Sequence, residues 1–440
     1  MIRTMKDSGV EWIGQIPKNW TLKRLQYILK ERNELNSPIK TKNILSLTVQ
    51  QGVVPYAQRA GGGNKAKEDL TAYKVVYKND IVLNSMNVIA GAVNLSKYYG
   101  CVSPVYYMLY NDNPAVTKYY NLLFQTEVFQ KSLFGLGNGI LVKESSNGKL
   151  NTIRLRIPMD KLNKLPLPLP PLPEQQAIAD YLDDKCAQID NITATINEQI
   201  DVLKQYKKSV ITEAVTKGLD PNAPMKDSGV EWIGQIPANW GIKKIKHLFK
   251  LRSEKNYEPL EEVNLISLYT ELGVVQHSDL EETSGNKAVT ADGYKKVYKN
   301  DIVVNIILCW MGAIGISAFD GVTSPAYDVY EAIDSSLVNP KYYHYLFRTP
   351  QFHGECYTKG RGIMAMRWRT YSSEFKNIKV VFPPFDMQQA IADYLDDKCA
   401  QIDAVIADKQ AQLETLAAYK KSLIYEYVTG KKSVPGFEEA

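Results

Sequence analysis

QQAIADYLDDKCAQID stands at Gln175–Asp190 and again, letter for letter, at Gln388–Asp403. The first copy lies in a run from Glu174 to Lys217 that holds neither proline nor glycine. Such a run reads as one helix of about 44 residues, roughly 66 Å long. Pro171-Leu172-Pro173-Glu174 marks its start, with proline tolerated in a first turn and an acid at the positive end of the dipole. In the second copy the start reads Pro383-Pro384-Phe385-Asp386, where Asp386 with Gln389 makes a capping box. Gly218, with Pro221 beyond it, stops the first helix, and Gly430 stops the second. Leu182, Ile189, Ile192, Ile196, Leu203, Tyr206 and Val210 form a coiled-coil stripe, answered by Leu395, Ile402, Val405, Leu416, Tyr419 and Leu423, with Lys409 where the first helix has Ile196. One apolar stripe on so long a helix requires a partner, and the other copy in the same chain is at hand.

The repetition extends outward from these helices. YKKSVITEAVTKG at Tyr206–Gly218 is echoed by YKKSLIYEYVTGK at Tyr419–Lys431. MKDSGVEWIGQIP occurs at Met5–Pro17 and at Met225–Pro237, each copy continuing through one variable residue and Asn to Trp20 or Trp240. Between these blocks the likeness is faint. YKNDIV recurs at Tyr77 and Tyr298, Lys-Tyr-Tyr at Lys118 and Lys341, and GNGI at Gly137 returns as GRGI at Gly360. A period of a whole domain means two similar domains and a pseudo-twofold molecule, whose helices then pair antiparallel. The variable blocks carry short β-like runs punctuated by Gly, Asn and Pro, each with a helical piece around its Lys-Tyr-Tyr. The expected fold is α+β. A first domain spans 1–172, a first helix 173–218, a second domain 219–384, a second helix 385–432 and a C-terminal tail 433–440. Parts kept identical between the halves should do one job twice, and parts that diverge should do different jobs.

Composition narrows the class. The 440 residues are 45% hydrophobic, enough for two or three cores, and the formal net charge is +5. The five cysteines form no C-x-x-C pair, so neither a zinc site nor a disulfide framework is indicated and the cytoplasm is the expected compartment. The N-terminus lacks the apolar run of a signal peptide. Ile302–Ile316 is apolar but interrupted by Asn305 and Gly312, too short to span a bilayer, and reads as buried strands.

A search for chemistry finds no catalytic constellation. GGGN at Gly61 and GLGNG at Gly135 lack the strand–turn–helix setting of a nucleotide loop. Phe382-Pro383-Pro384-Phe385 lacks the asparagine of an amino-methyltransferase loop and reads as the turn that opens a helix. Asp183-Asp184 and Asp396-Asp397 fall inside the helices, where a charged outer face accounts for them. All four histidines lie in the second half, so a catalytic histidine would serve only one of two matched domains. No metal site and no cofactor is expected.

Two variable domains alternating with near-identical helices, VEWIGQIP-x-x-W opening each domain and LPPLPEQQAIADYLD opening the first helix, closely resemble the DNA-specificity subunit (HsdS) of type I restriction-modification enzymes. The second copy departs from it with Phe385-Asp386-Met387 in place of Leu172-Pro173-Glu174. The resemblance covers the whole chain. It implies a non-catalytic subunit in which each domain is a target-recognition domain for one half of a split, asymmetric site in double-stranded DNA. It further implies that the helices act as a ruler and dock two modification (methyltransferase) subunits, which carry S-adenosylmethionine, and that restriction (motor-nuclease) subunits join them. The assembled enzyme would be an adenine-specific DNA methyltransferase and ATP-dependent endonuclease of host defence, with no membrane partner. The other reading is a coiled-coil adaptor that pairs two proteins without touching DNA.

Under that resemblance, base reading calls for Arg, Lys, Asn or Gln in exposed loops. In the first domain the expected residues are Gln58, Arg59, Asn64 and Lys65 on one loop, and Asn138 and Lys143 on another. In the second they are Asn286 and Lys287, then Arg361, Arg367, Trp368 and Arg369 on GRGIMAMRWRT. That last loop, with its arginines and tryptophan after a glycine pair, is the strongest candidate.

Overall fold

The computed structural model describes residues 3–60, 65–137, 156–279, 290–362 and 368–437. The chain forms two compact units, one made of Met1–Ile196 with Ala411–Ala440 and the other of Asn197–Gln410. Each long helix therefore gives its N-terminal part to one unit and its C-terminal part to the other.

Each unit is built on the same four-stranded antiparallel sheet. In the first unit the order is Lys30–Arg32, Tyr106–Tyr110, Ile81–Asn84, Val93–Leu95, and in the second Phe249–Leu251, Tyr327–Ala332, Ile302–Asn305, Ile314–Ile316. The apolar run after Ile302 thus supplies two buried strands around a 3-10 turn at Cys309–Met311. The recurring YKND is turn chemistry. Asn79 and Asn300 take positive φ, 71° and 73°, which asparagine tolerates better than most residues. The next residue closes the turn: Asp80 accepts from the Tyr77 amide at 3.0 Å and Asp301 from the Tyr298 amide at 2.8 Å. Each aspartate also holds an arginine, Arg32 or Arg252, that lies over the ring of Tyr77 or Tyr298.

Lys-Tyr-Tyr explains how each unit grips the two helices. Asn113 and Asn339 cap short helices, Pro114–Phe124 and Pro340–Phe347, by accepting from the amides of Ala115 and Lys341. These helices present the motif inward. In the first unit Lys118 pairs with Asp183 at 2.8 Å, the Tyr119 hydroxyl donates 2.7 Å to the Val428 carbonyl, and Tyr120 donates 2.8 Å to the Pro168 carbonyl. In the second, Lys341 pairs with Asp396, Tyr342 donates 2.7 Å to the Val215 carbonyl, and Tyr343 donates 3.1 Å to the Val381 carbonyl. The first tyrosine of each pair thus satisfies a carbonyl at a helix C-terminus, one of the acceptors that a helix leaves unbonded. Asp183 and Asp396 are accounted for as the acidic halves of these ion pairs.

The repeated openings form the other wall of the same socket. Trp20 is 0% exposed and Trp240 2%. Gly430 (φ 72°) ends the helix turned against Trp20 and Pro17, where a Cβ would fall 2.5 Å from the proline ring. Gly218 (φ 80°) meets Trp240 in the same way, at 3.3 Å. Only glycine combines that backbone with that closeness. The wall differs in one respect. Glu174 accepts from Trp20 Nε1 at 2.7 Å and pairs with Arg3, whereas the second half has Ala223 and Met387 at the matching positions.

The long helices run from Leu172 to Lys217 and from Phe385 to Val428. The second ends earlier than the expected 432, because the chain turns at Thr429 and Gly430 to meet Trp20. Within each unit the two pieces pair antiparallel: Lys420–Asp190 at 2.6 Å and Tyr427–Tyr181 at 3.3 Å in the first unit, Lys207–Asp403 and Lys409–Gln199, both 2.6 Å, in the second. The seam itself corrects the sequence reading. Buried or half-buried positions run Leu182, Cys186, Ile189, Thr193, Ile196, Ile200, Leu203, Lys207, Val210, Ala214 on one helix and Leu395, Cys399, Ile402, Ile406, Lys409, Leu413, Leu416, Lys420, Leu423, Tyr427 on the other. That is an unbroken alternation of fours and threes. Ile192, Tyr206, Val405 and Tyr419 sit one position off it and are 49%, 49%, 45% and 54% exposed. The expected capping box is also replaced. Gln389 bonds Asp393 and Asn339 instead of reaching back, and the helix start is held by Gln388, which donates to the Pro383 carbonyl at 2.9 Å and accepts from the Asn339 amide at 2.9 Å.

Candidate nucleic-acid interface

Above the shared scaffold each unit raises a matched hairpin. Leu45–Thr48 pairs with Gly52–Pro55, and Ile266–Tyr269 with Gly273–Gln276, in the same register. Leu45, Leu47 and Val53 in one, Ile266 and Leu268 in the other, face small cores and fix which side is outward. Each hairpin runs into a 3-10 turn, Tyr56–Gln58 or His277–Asp279. Both turns begin with the same bond, Tyr56 amide to Ile44 carbonyl and His277 amide to Leu265 carbonyl, each 2.8 Å. The backbone is therefore held constant while the side chains change.

In the first unit Arg59 follows that turn with its guanidinium 4.7 Å from the centre of the Tyr56 ring. Gln58 and Lys65 are exposed beside it. In the second unit the turn is acidic and polar: His277 shares a hydrogen bond with Ser267 at 3.1 Å and Asp279 accepts from Gln276 at 3.2 Å. Asn64, Asn138, Lys143, Asn286, Lys287 and Arg367 lie outside the described residues.

The two described ends of GRGIMAMRWRT, Gly360–Gly362 and Trp368–Thr370, are held by their neighbours. Arg361 and Arg369 form a reciprocal backbone bridge, 2.9 and 3.0 Å, that closes the loop at its base. The Arg361 side chain is 73% exposed but pairs with Glu374 at 2.8 Å. Trp368 stacks on Tyr357, centroids 5.1 Å apart, and donates 2.9 Å to the Tyr357 carbonyl. It anchors the loop rather than standing free, and Gly360 leaves room for it, since a Cβ there would fall 2.1 Å from its indole nitrogen. Arg369 is exposed. The sequence reading missed Tyr56, Tyr357 and His277. The only available signal was that each follows or flanks a recurrent element, which names a position and not a contact.

His344 and His353 are half-buried against the second unit's core, whereas His247 and His277 are exposed. Burial, with Arg348 nearby, pushes His344 down to about 3 and His353 down to about 4. His344 accepts from the Ile316 amide at 3.1 Å, so its ring nitrogen is engaged in a structural bond. Among the described residues no helix is long and apolar enough to cross a membrane.

The family model for the type I restriction modification DNA specificity domain matches twice, at residues 17–202 and 237–415, more than half of the chain. The chain belongs to the type I restriction-modification DNA-specificity family. It is 26% identical over 448 residues to a putative type I restriction enzyme MjaX specificity subunit of Methanocaldococcus jannaschii, with 95% of each chain covered. It is 25% identical over 442 residues to the MjaVIII specificity subunit of the same organism, covering 95% of this chain and 94% of that one. The EcoDI specificity subunit of Escherichia coli is 25% identical over 280 residues, 59% of this chain and 57% of that one. In fold it is similar, with TM-score 0.67 and 12% identity over 95% of this chain and 99% of the other, to a chain from work on complex assembly and conformational transition of the type I R-M system. The HsdS subunit from Thermoanaerobacter tengcongensis gives a TM-score of 0.50 at 12% identity, covering 95% and 98%. Both family matches start inside the repeated opening, at Pro17 and Pro237. The specificity chain thus contains two DNA-recognition domains, each with its share of the paired helices.

Proposed function

We propose that each recognition domain reads one half of a bipartite, asymmetric site in double-stranded DNA. Residues 1–172 and 219–384 are the readers, the segments 173–218 and 385–432 carry the two long helices, and 433–440 follow as a tail. The helices set the spacer between the half-sites and dock two modification subunits, with restriction subunits joining the assembly in the cytoplasm. The chain itself is non-catalytic. One contrast carries this reading: the sockets that grip the helices repeat their tryptophan, Lys-Tyr-Tyr and closing glycine, while the hairpin turns carry Tyr-Ala-Gln-Arg in one unit and His-Ser-Asp-Leu in the other. A binder of one partner at two equivalent places and of two different DNA sequences requires that division. Two exposed helix positions support the docking part. Each unit presents an aliphatic residue and a tyrosine, Ile192 with Tyr419 or Val405 with Tyr206, that no internal packing requires. The readers on this proposal are Gln58, Arg59, Asn64, Lys65, Asn138 and Lys143, then Asn286, Lys287, Arg361, Arg367, Trp368 and Arg369, with Arg361 and Trp368 mainly shaping their loop.

The experiment is replacement of residues 21–165 by the equivalent block of a relative. Modified DNA from cells carrying the chain and its modification partner is then sequenced. One half of the methylated motif should change and the other stay. A motif altered in both halves would end the division of labour, and absence of any salt-dependent duplex binding by the complex would favour the adaptor reading.

A further inference from the structure

We propose that Arg59 reads a guanine in the half-site of the first domain, with Tyr56 as the residue that positions it. This rests on the reading of the domains as DNA readers and goes beyond it by naming the base.

The turn that carries Arg59 is fixed at several points. The Tyr56 amide donates to Ile44 at 2.8 Å, the Arg59 amide donates to the Tyr56 carbonyl at 3.3 Å, and the Ala60 amide donates to Gln51 Oε1 at 2.9 Å. The Tyr56 hydroxyl accepts from the Ala66 amide at 3.2 Å. The ring is thus tied at both ends, and the guanidinium lies over its face at 4.7 Å. Stacking covers one face of a planar cation and leaves its N–H edge outward, with less rotamer freedom to lose on binding. Among the described residues no carboxylate neutralises Arg59, whereas Arg32 and Arg361 are each held by one and Arg252 by three.

A fixed fork that only donates discriminates among bases. In the major groove guanine offers two acceptors on one base, N7 and O6. Adenine pairs an acceptor with a donor, thymine has a single acceptor and cytosine only a donor. Among the described residues the matching turn of the second domain has no such fork: Asp279 stands where Gln58 does and accepts from Gln276, and the residue at the place of Arg59 is Leu280. The two turns therefore read different chemistry from the same backbone position.

The test selects DNA from a randomised duplex pool with the chain in complex with its modification partner, for the wild type, Arg59→Ala, Arg59→Lys and Tyr56→Leu. The wild-type motif should contain a guanine that Arg59→Ala relaxes by roughly 5- to 150-fold at that one position, leaving the other half-site unchanged. Arg59→Lys keeps the charge but not the fork, and should relax the same position. Tyr56→Leu should relax it partway with the arginine still present. A motif unchanged in Arg59→Ala, with uniformly weaker binding and a salt slope reduced by about one, would make Arg59 a phosphate contact and overturn the proposal. Loss at a base other than guanine, or in the other half-site, would also overturn it. A wild-type complex that selects no motif at all would instead overturn the reading of the domains.

Discussion

Arg3, Glu174 and Trp20 close the first socket with a buried charge pair, and the second half shows that a socket closes without one. The side chains of Arg3 and Glu174 are 6% and 2% exposed. Removing one member of such a pair leaves the other buried without its counter-charge, at about 3–5 kcal/mol, even though Arg3 keeps the Gly430 carbonyl and the face of Trp20. Glu174→Met also strands the Trp20 indole N–H, itself about 1–3 kcal/mol. Arg3→Ala leaves the carboxylate with the indole as its remaining partner. In the double variant Arg3→Ala/Glu174→Met both desolvation costs vanish and the indole remains the main loss. Its matching positions in the other half are Ala223 and Met387, beside a Trp240 that is 2% exposed. The double variant is therefore expected to be more stable than either single one, by about 2 kcal/mol. Native-state amide exchange measures this, with peptides around Ile178–Ile189 and Leu423–Val428 reporting on the socket and those around Ile391–Ile402 and Val210–Val215 serving as internal reference. A single substitution should speed exchange in the first set by hundreds- to thousands-fold, following the 3–5 kcal/mol, and leave the second set unchanged. The argument fails if Glu174→Met exchanges like wild type, or if the double variant is worse than both singles.

Acid should discriminate between the units. His344 and His353 are depressed to about 3 and about 4, first by burial and then by Arg348, with Asp396 opposing and Lys341 adding for His344 and Lys208 adding for His353. Bases with lowered folded values contribute stability that is present above their ordinary value near 6.5 and lost as pH falls toward the folded one, about 2 kcal/mol per histidine by pH 5. The first unit has Asn121 and Gln130 at these positions. Exchange protection should therefore fail first in the second unit between pH 6.5 and 5, and equal loss in both would refute the assignment. If the helices are the ruler, four residues added to each at facing points lengthen the pair by about 6 Å. The methylated motif should then gain about two base pairs of spacer, at 3.4 Å per base pair, with its half-site letters intact. An active variant that keeps the original spacer would refute it.

The helices, the glycines that stop them and the doubling of the chain were legible because their causes are local, a run without Pro or Gly and a repeat that needs only comparison of letters, whereas the cap of the second helix was not, since Gln388 takes it through Asn339. The seam was legible only to within one residue. Ile192 and Tyr206 are apolar and fall at permissible spacings, so hydrophobicity alone could not separate them from Thr193 and Lys207, which the regular fours and threes put in the seam. Tertiary structure decided that phase, because both helices must keep one face toward each other along their shared length. It also decided why the openings repeat. Tyr119 reaches Val428 across 309 residues and Tyr342 reaches Val215 across 127, pairings that no local pattern encodes. The reader loops stand between these cases. Their donors were visible as residue types, but the stacking of Arg59 on Tyr56, the stacking of Trp368 on Tyr357 and the capture of Arg361 by Glu374 come from backbone placement. The sequence by itself determined two readers on two helices, since repetition and periodicity are properties of the string. Which side chains are left over to meet DNA was decided by folding, since a polar group is available to a ligand only after the protein's own acceptors and rings have taken their share.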